Sequence, residues 1–300
     1  MRIVLAGASG LLGQALRRAL TADGDVVRVL VRREPRTDAE TEWHPDRGEL
    51  DPSVLRDVDA VVCLSGVNLG HRRWTDQFKR DIVASRVKPV GTLARTMADM
   101  PDRPQVLVTA SGTGCYGDTG SRVVDESAPY GDTFLAGVCR LWEGAAEPAA
   151  AAGVRVVNLR TGPVLASDGD LMKRLKPVVW LGVGGRLGSG RQYVPWISLA
   201  DHVAATRFLL TADLSGPVNV TGPEPARNAD LVTTLAHLMH RPAVLPVPAF
   251  VLKTVLGGLD QEILIGQRAI PKRLLEAGFS FRHPTLEAAL QAALSDGSSG

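Results

Sequence analysis

Short apolar runs alternate with amphipathic stretches through the first half of the chain. Each run is nearly continuous in apolar, often β-branched residues, as expected for parallel strands that are buried on both faces. The runs are 26–31, 60–64, 106–110 and 154–159. Residues at helical spacing separate them, and the longest predicted helices lie at about 75–100 and 133–152. This alternation predicts an α/β fold with a doubly wound parallel sheet.

The pattern changes after Arg160. A glycine-rich stretch covers 182–192, and from about 228 onward the chain is predicted to be mainly helical. A helix near 199–210 and a strand near 218–220 are predicted to rejoin the first domain, and ligands in such folds bind in the crevice at the carboxyl ends of the strands. The predicted organisation is a larger domain of 1–160 rejoined by about 195–222, a smaller lobe of 161–194 and 223–294, and a flexible tail of 295–300.

A glycine turn follows the first predicted strand. Gly7, Gly10 and Gly13 come after the apolar residues 3–5, and the positions beyond them have helical spacing. Such a strand–turn–helix presents backbone N–H groups and a helix N-terminus to a pyrophosphate. It therefore predicts a dinucleotide site, with an ordinary turn as the alternative. The cofactor-binding residues assigned to the turn are Gly7, Ser9, Gly10, Leu11, Leu12 and Gly13.

Two arginines end the second predicted strand. Arg32 and Arg33 occupy the place where an acid usually holds a free ribose 2′-hydroxyl, and arginine there accommodates a 2′-phosphate. The cofactor predicted is therefore NADP(H) rather than NAD(H). Two alternatives stay open: Glu34 could take the acid role, or the arginines could form a solvated basic turn.

Composition and charge narrow the class of protein. With 300 residues, 45% of them hydrophobic and 22% charged, the chain can bury a sizeable core. A net charge of +2 gives no argument for nucleic acid or a membrane surface. No run reaches transmembrane length, the start has no signal-peptide pattern, and three scattered cysteines offer no metal spacing. We expect a cytoplasmic protein without a metal, in which a homodimer is allowed.

Further segments resemble one branch of a known family, and they keep its order along the chain. They are 64–69, 73–75, 85–87, 111–120, 134–135, 142–143, 160–165, 188–192 and 271–279. The chain resembles atypical extended short-chain dehydrogenase/reductases (SDRs) described as epimerase family proteins, or nucleoside-diphosphate-sugar epimerase-like proteins, over about 1–294. The resemblance implies a Rossmann-type NADP-binding fold. The further cofactor contacts that it suggests are Leu64, Ser65, Gly66, Asn68, Cys139 and Arg160.

The resemblance also shows what is missing. Working members of the larger family use a Tyr-x-x-x-Lys helix, in which tyrosine is the acid/base and lysine lowers its pKa and bonds the nicotinamide ribose. Alignment on Glu143 places Leu135 at the tyrosine position and Cys139 at the lysine position. A thiol at 139 could titrate if its pKa were lowered. The preferred interpretation is a small buried hydrophobe beside the ribose.

Other residues are candidates for the missing chemistry. The family hydroxyl position falls on Gly112, so the hydroxyl would come from Ser111 or Thr113, while Tyr193 is a stand-in phenol with a packing role as the alternative. The glycine-rich loop could hold an anionic substrate group, or it could be an ordinary solvent loop. The predicted substrate contacts are Tyr116, Arg186, Arg191, Gln192 and Trp196. The basic residues of the long helix, among them Arg86, are expected on a solvated face with some cofactor-side contacts.

Two classes of function follow. The leading hypothesis is an NADP(H)-dependent oxidoreductase or epimerase-like enzyme for a small polar or nucleotide-sugar substrate. The alternative, motivated by the missing pair, is a non-catalytic NADP(H)-binding redox sensor or interaction module. A bare scaffold with a relic cofactor site is a third possibility.

Overall fold

The computed structural model describes residues 1–182, 185–242, 262 and 264–295. Thirteen strands are present in that part of the chain. They are β1 Arg2–Ala6, β2 Val26–Val31, β3 Glu40–Glu42, β4 Ala60–Cys63, β5 Val106–Gly112, β6 Val123–Val124, β7 Arg155–Thr161, β8 Val164–Leu165, β9 Tyr193–Val194, β10 Ile197–Ser198, β11 Gly216–Val220, β12 Ala226–Arg227 and β13 Arg268–Ala269.

The described helices alternate with the longer strands. They are α1 Leu11–Ala22, α2 Asp76–Asp99, α3 Phe134–Gly144, α4 Glu147–Ala151, α5 Asp170–Trp180, α6 Leu199–Thr211, α7 Asn228–Leu238, α8 Lys272–Glu276 and α9 Leu286–Ser295, with short 3₁₀ helices at Pro52–Leu55 and Thr113–Tyr116. The helix predicted at 133–152 is in fact two helices. Pro148 is the reason, since it has no N–H to donate to the carbonyl four residues earlier.

Seven parallel strands form the central sheet in the order β11–β7–β5–β4–β1–β2–β3. β1 lies at the switch point, where Leu5 pairs with Val29 of β2 on one side and with Val62 of β4 on the other. The doubly wound parallel sheet is therefore confirmed. The region predicted near 218–220 does return to this sheet, as the edge strand β11.

Both faces of the sheet are buried. Ile3 and Leu5 pack in one apolar cluster with α1 and α6, whereas the alternate residues Val4 and Ala6 pack in another with α2 and α4. This period of two along a fully apolar strand is what a central parallel strand requires.

A third apolar cluster joins α5, α7 and α9, and Trp196 lies within it. Three two-stranded pairings, β6–β13, β8–β10 and β9–β12, lie outside the central sheet. The boundaries predicted for the smaller lobe stay a prediction. Residues 183 and 184 of the glycine-rich stretch, and the tail from 296, lie outside the described residues.

No helix in the described ranges is both long and apolar enough to cross a membrane. The same ranges contain no group of three His, Cys, Asp or Glu side chains that could hold a metal ion.

Candidate functional site

A crevice of about 410 Å³ opens at the carboxyl ends of β1, β2 and β4. Its position outside the switch point of the sheet is where α/β proteins of this type bind ligands. The structure brings eight of the predicted cofactor residues to its wall: Gly7, Ser9, Gly10, Arg32, Arg33, Leu64, Ser65 and Gly66. The wall also includes residues that sequence reasoning missed, namely Trp43, Pro45, Ser85 and Pro89. Trp43 and Pro45 come from the loop after β3, whereas Ser85 and Pro89 are four residues apart on one face of α2.

Glycine occurs at the three positions of the turn for different structural reasons. Gly7 has a φ of +85°, and a Cβ there would lie 2.6 Å from the carbonyl carbon of Leu64. A Cβ on Gly13 would lie 2.3 Å from the carbonyl oxygen of Gly7, so α1 packs directly on the turn. Gly10, in contrast, is ordinary in conformation, and a Cβ there would meet only the Gly7 oxygen at 3.7 Å. The fold itself requires glycine at 7 and 13, whereas at 10 the open space belongs to the crevice.

The two arginines at the end of β2 are not equivalent. Arg33 donates two hydrogen bonds of 2.8 Å to the carboxylate of Glu40, and this interaction lowers the pKa of Glu40 to about 2. Arg32 also lines the crevice, and it has no hydrogen-bond or ion-pair partner in the described part of the chain. The side chain of Glu34 is exposed and is not part of the crevice wall. Arg32 is therefore the cation that is available to a ligand at this end.

The two positions of the missing pair, Leu135 and Cys139, lie on α3, and neither is part of the crevice wall. Cys139 is 5% exposed, and its thiol donates to the carbonyl of Gly112 at 3.6 Å. Burial raises the pKa of Cys139 to about 11, so the thiol is protonated at neutral pH. The side chain of Leu135 packs against Gly114, and its backbone N–H donates to the carboxylate of Glu262.

Arg160 lies in a buried network rather than at the crevice wall. Its guanidinium donates two hydrogen bonds of 3.0 Å to Glu143, and both side chains are less than 10% exposed. The Arg160 group also lies over the rings of Tyr116 and Tyr130, at 5.2 and 5.1 Å from their centroids. Glu143 accepts a further hydrogen bond of 2.6 Å from Ser111. This network links α3 to β5 and β7, so Arg160 is occupied by protein groups.

The hydroxyl candidates are therefore largely engaged. Ser111 is 5% exposed and donates to Glu143, and Thr113 is buried at the start of a 3₁₀ helix. Tyr116 donates to Asn219 at 2.6 Å and accepts from Arg160, and burial raises the pKa of Tyr116. In the described part of the chain, the hydroxyl groups of Ser111 and Tyr116 therefore act as structural hydrogen-bond donors.

The remaining candidates lie away from the glycine turn. The ring of Tyr193 lies between the guanidinium groups of Arg227 and Arg268, at 5.5 and 4.8 Å. Trp196 is 1% exposed in the third apolar cluster, and Gln192 is buried and donates to the carbonyl of Leu187.

Polar groups of the loops are also placed outside the crevice wall. Arg186 and Arg191 are exposed in the glycine-rich loop. Asn68 donates to Asp170 at 2.6 Å and accepts from the Gly70 N–H, so it joins the β4 loop to the start of α5. The structure thus separates these residues, which were predicted as cofactor or substrate contacts, from the glycine-turn crevice.

The seven-stranded sheet, the glycine turn and the crevice at the switch point define an extended SDR of the Rossmann type. The family model described as "NAD dependent epimerase/dehydratase family" matches residues 3–221, and a second, "Domain of unknown function (DUF1731)", matches 247–293. The chain belongs to the NAD dependent epimerase/dehydratase family.

Similar proteins come from bacteria and animals. Epimerase family protein Mb2239 of Mycobacterium bovis is 46% identical over 290 residues, which cover 96% of each chain. Epimerase family protein SDR39U1 of Homo sapiens is 34% identical over 296 residues, covering 97% of this chain and 99% of that protein. The resemblance read from the sequence motifs is thereby confirmed.

Two solved structures are similar over nearly the whole chain. The crystal structure of human epimerase family protein SDR39U1 (isoform 2) with NADPH has a TM-score of 0.89 at 30% identity, and 100% of both chains is covered. The nucleoside-diphosphate sugar epimerase from Corynebacterium glutamicum has a TM-score of 0.81 at 31% identity, covering 98% of this chain and 58% of that one.

Proposed function

We propose that this protein binds NADP(H) in the glycine-turn crevice and uses it as an oxidoreductase or epimerase-like enzyme on a small polar substrate. The observation that carries the proposal is the arrangement of Arg32 and Gly10. Among the residues that the structure describes, Arg32 has no partner, and it lies at the β2 end, where a ribose 2′-phosphate would lie. Gly10 leaves space at the start of α1, where a pyrophosphate would lie.

The comparisons support this choice of cofactor. The human relative was crystallised with NADPH, and its similarity covers the entire chain. A nucleotide sugar is the leading substrate class, since the Corynebacterium glutamicum structure is described as a nucleoside-diphosphate sugar epimerase. The bound cofactor would supply or accept a hydride, while the protein would position the two reactants.

Trp43 gives a direct test of cofactor binding. Its side chain is 3% exposed and lines the crevice, so a bound dinucleotide should change its fluorescence. NADPH and NADH are titrated separately against the wild type and against Trp43→Phe. We expect tighter binding of NADPH, and a smaller fluorescence change in the variant with the affinity retained. Failure of both cofactors to bind at millimolar concentration would exclude the proposal.

Turnover is tested on the complex. The protein with NADPH or NADP⁺ is screened against carbonyl compounds and nucleotide sugars, with cofactor absorbance as one readout and sugar-epimer analysis as the other. Epimerisation regenerates the cofactor, so absorbance alone would miss it. A product that forms only when wild-type protein and cofactor are both present supports the proposed enzymatic function.

One observation favours a second candidate function, a non-catalytic NADP(H)-binding redox sensor or interaction module. Leu135 has no ionisable group, and the Cys139 thiol is protonated at neutral pH, so the usual proton-transfer pair is missing. Tight NADPH binding without turnover on the full panel would favour this candidate. The double variant Leu135→Tyr/Cys139→Lys then asks whether installing the pair creates turnover.

A further inference from the structure

Arg86 of α2 is a buried cation for which the described residues supply no counter-charge. Its side chain was expected on a solvated helix face, yet Arg86 is only 8% exposed. The guanidinium donates to the carbonyl oxygens of Ile82 at 3.1 Å and Val67 at 3.0 Å, and to the Ser85 hydroxyl at 3.4 Å. All of these acceptors are neutral, and in the ranges that the structure describes no carboxylate lies within ion-pair distance. Buried arginines are usually paired with an anion, so this exception requires a reason.

The surroundings of Arg86 place it below the crevice. Its guanidinium carbon would lie 3.3 Å from a Cβ on Gly66, which lines the crevice wall. On its other side the guanidinium lies over the ring of Trp142, 5.1 Å from the centroid. Trp142 and Cys139 are three residues apart on α3 and therefore share a face. The thiol of Cys139 in turn contacts Gly112 at the end of β5, so the charge of Arg86 lies between β4, β5 and α3.

The order of the strands shows which half of a dinucleotide would lie there. The crevice runs from Arg32 at the end of β2, across the glycine turn after β1, to Gly66 after β4. With the 2′-phosphate at Arg32 and the pyrophosphate at the turn, the second mononucleotide would lie over β4 and β5. Arg86 is on that side of the pyrophosphate, and the nicotinamide belongs to that mononucleotide.

The charge of Arg86 is permanent at neutral pH. Burial lowers the pKa of Arg86 to about 10, which still leaves the group protonated. The nicotinamide ring of NADP⁺ carries a positive charge, whereas the dihydronicotinamide of NADPH is neutral. A fixed cation near this ring therefore repels the charged nicotinamide of NADP⁺ and not the neutral ring of NADPH.

We propose that Arg86 is a specificity-determining residue whose buried charge makes the crevice prefer NADPH over NADP⁺. This inference rests on the proposed binding of NADP(H). It assigns Arg86 an electrostatic effect on the ligand, and it requires no direct contact between the guanidinium and the cofactor.

The test measures the ratio of the dissociation constants for NADP⁺ and NADPH. Wild type, Arg86→Met and Arg86→Lys are compared by calorimetric titration, with Arg80→Met as the control because Arg80 is an exposed cation of the same helix. We expect Arg86→Met to reduce the preference for NADPH about tenfold, the scale of a charge interaction over roughly 10 Å in a protein environment. Arg86→Lys and Arg80→Met should keep the wild-type ratio.

A second pair of variants places a positive charge at position 139, with and without the charge of Arg86. Cys139→Lys in the wild type adds a cation next to the same region, and Cys139→Lys with Arg86→Met replaces the lost one. The first should increase the preference for NADPH and the second should restore it. A purely structural role for Arg86 would weaken both ligands equally, which would leave the ratio unchanged.

The outcomes separate this inference from the proposed function. If the wild type binds neither NADP⁺ nor NADPH, the proposed function and the role of Arg86 both fail. If both ligands bind and their ratio does not change in Arg86→Met or in Cys139→Lys, only the role of Arg86 is overturned. Since Cys139→Lys keeps Arg86 in place, it tests the idea even if Arg86→Met does not fold.

Discussion

Replacement of Arg32 by alanine should weaken NADPH far more than NADH. Arg32 has no competing partner in the described ranges, so its full charge is available to a 2′-phosphate. A hydrogen bond to a charged group contributes about 1.5–3 kcal/mol, which corresponds to roughly a 10- to 150-fold loss of affinity for NADPH. NADH has no 2′-phosphate, and its affinity should change by less than about fivefold, or roughly 1 kcal/mol.

Arg33 provides the matched comparison. Its guanidinium is held by two hydrogen bonds of 2.8 Å to Glu40, so a phosphate would have to compete with that carboxylate. Removing Arg33 alone also frees the Glu40 charge, and for this reason the control is the double variant Arg33→Ala/Glu40→Gln. We expect the double variant to retain NADPH affinity within about fivefold, because exposed ion pairs contribute only about 0–1 kcal/mol.

Fluorescence titration of each variant with both cofactors is the assay, and thermal melts in the absence of ligand check the fold. The reasoning is refuted if Arg32→Ala weakens NADPH and NADH equally. It is also refuted if the Arg33 double variant loses more NADPH affinity than Arg32→Ala does.

Three further predictions concern the turn, the buried network and the thiol. Gly13→Ala should lower the melting temperature sharply, because its Cβ would meet backbone at 2.3 Å, whereas Gly10→Ala should melt like wild type and lose NADPH affinity in titrations. Arg160→Leu should destabilise the protein by about 3–5 kcal/mol in urea unfolding, because it leaves Glu143 buried and unpaired; adding Glu143→Leu should recover much of that loss. Equal stability of the single and double variants would contradict this. Cys139 should resist a thiol reagent at pH 8 in the native state, since a pKa of about 11 leaves about a thousandth as thiolate; rapid labelling detected by mass spectrometry would contradict its burial.

The sequence predicted the fold well because the relevant signals are local. Continuous apolar runs identified the central strands, and the glycine turn after β1 identified the dinucleotide crevice. Even the departure from the predicted helix at 133–152 has a local cause in Pro148.

The polar residues were harder to place, because their roles depend on contacts between distant segments. Arg160 lies near the end of a strand, as a ligand-binding residue would, yet it forms a buried ion pair with Glu143 of α3. Arg33 looks identical to Arg32 in sequence, and only the position of Glu40 on the adjacent strand distinguishes them. Arg86 occurs among basic residues, and its burial depends on the packing of Trp142 against α2.

These placements bear on whether the cofactor site is a relic. The fold would retain Gly7 and Gly13 in any case, since side chains there would clash with backbone. It has no such reason to retain glycine at 10. Nor does it need Arg32 beside the crevice with no partner among the described residues, while the neighbouring Arg33 is paired with Glu40. Gly10 and Arg32 fit a ligand although the fold does not require them, and this argues for a working binding site. The missing tyrosine–lysine pair therefore changes the chemistry that can follow binding, and it gives no ground for doubting the binding itself.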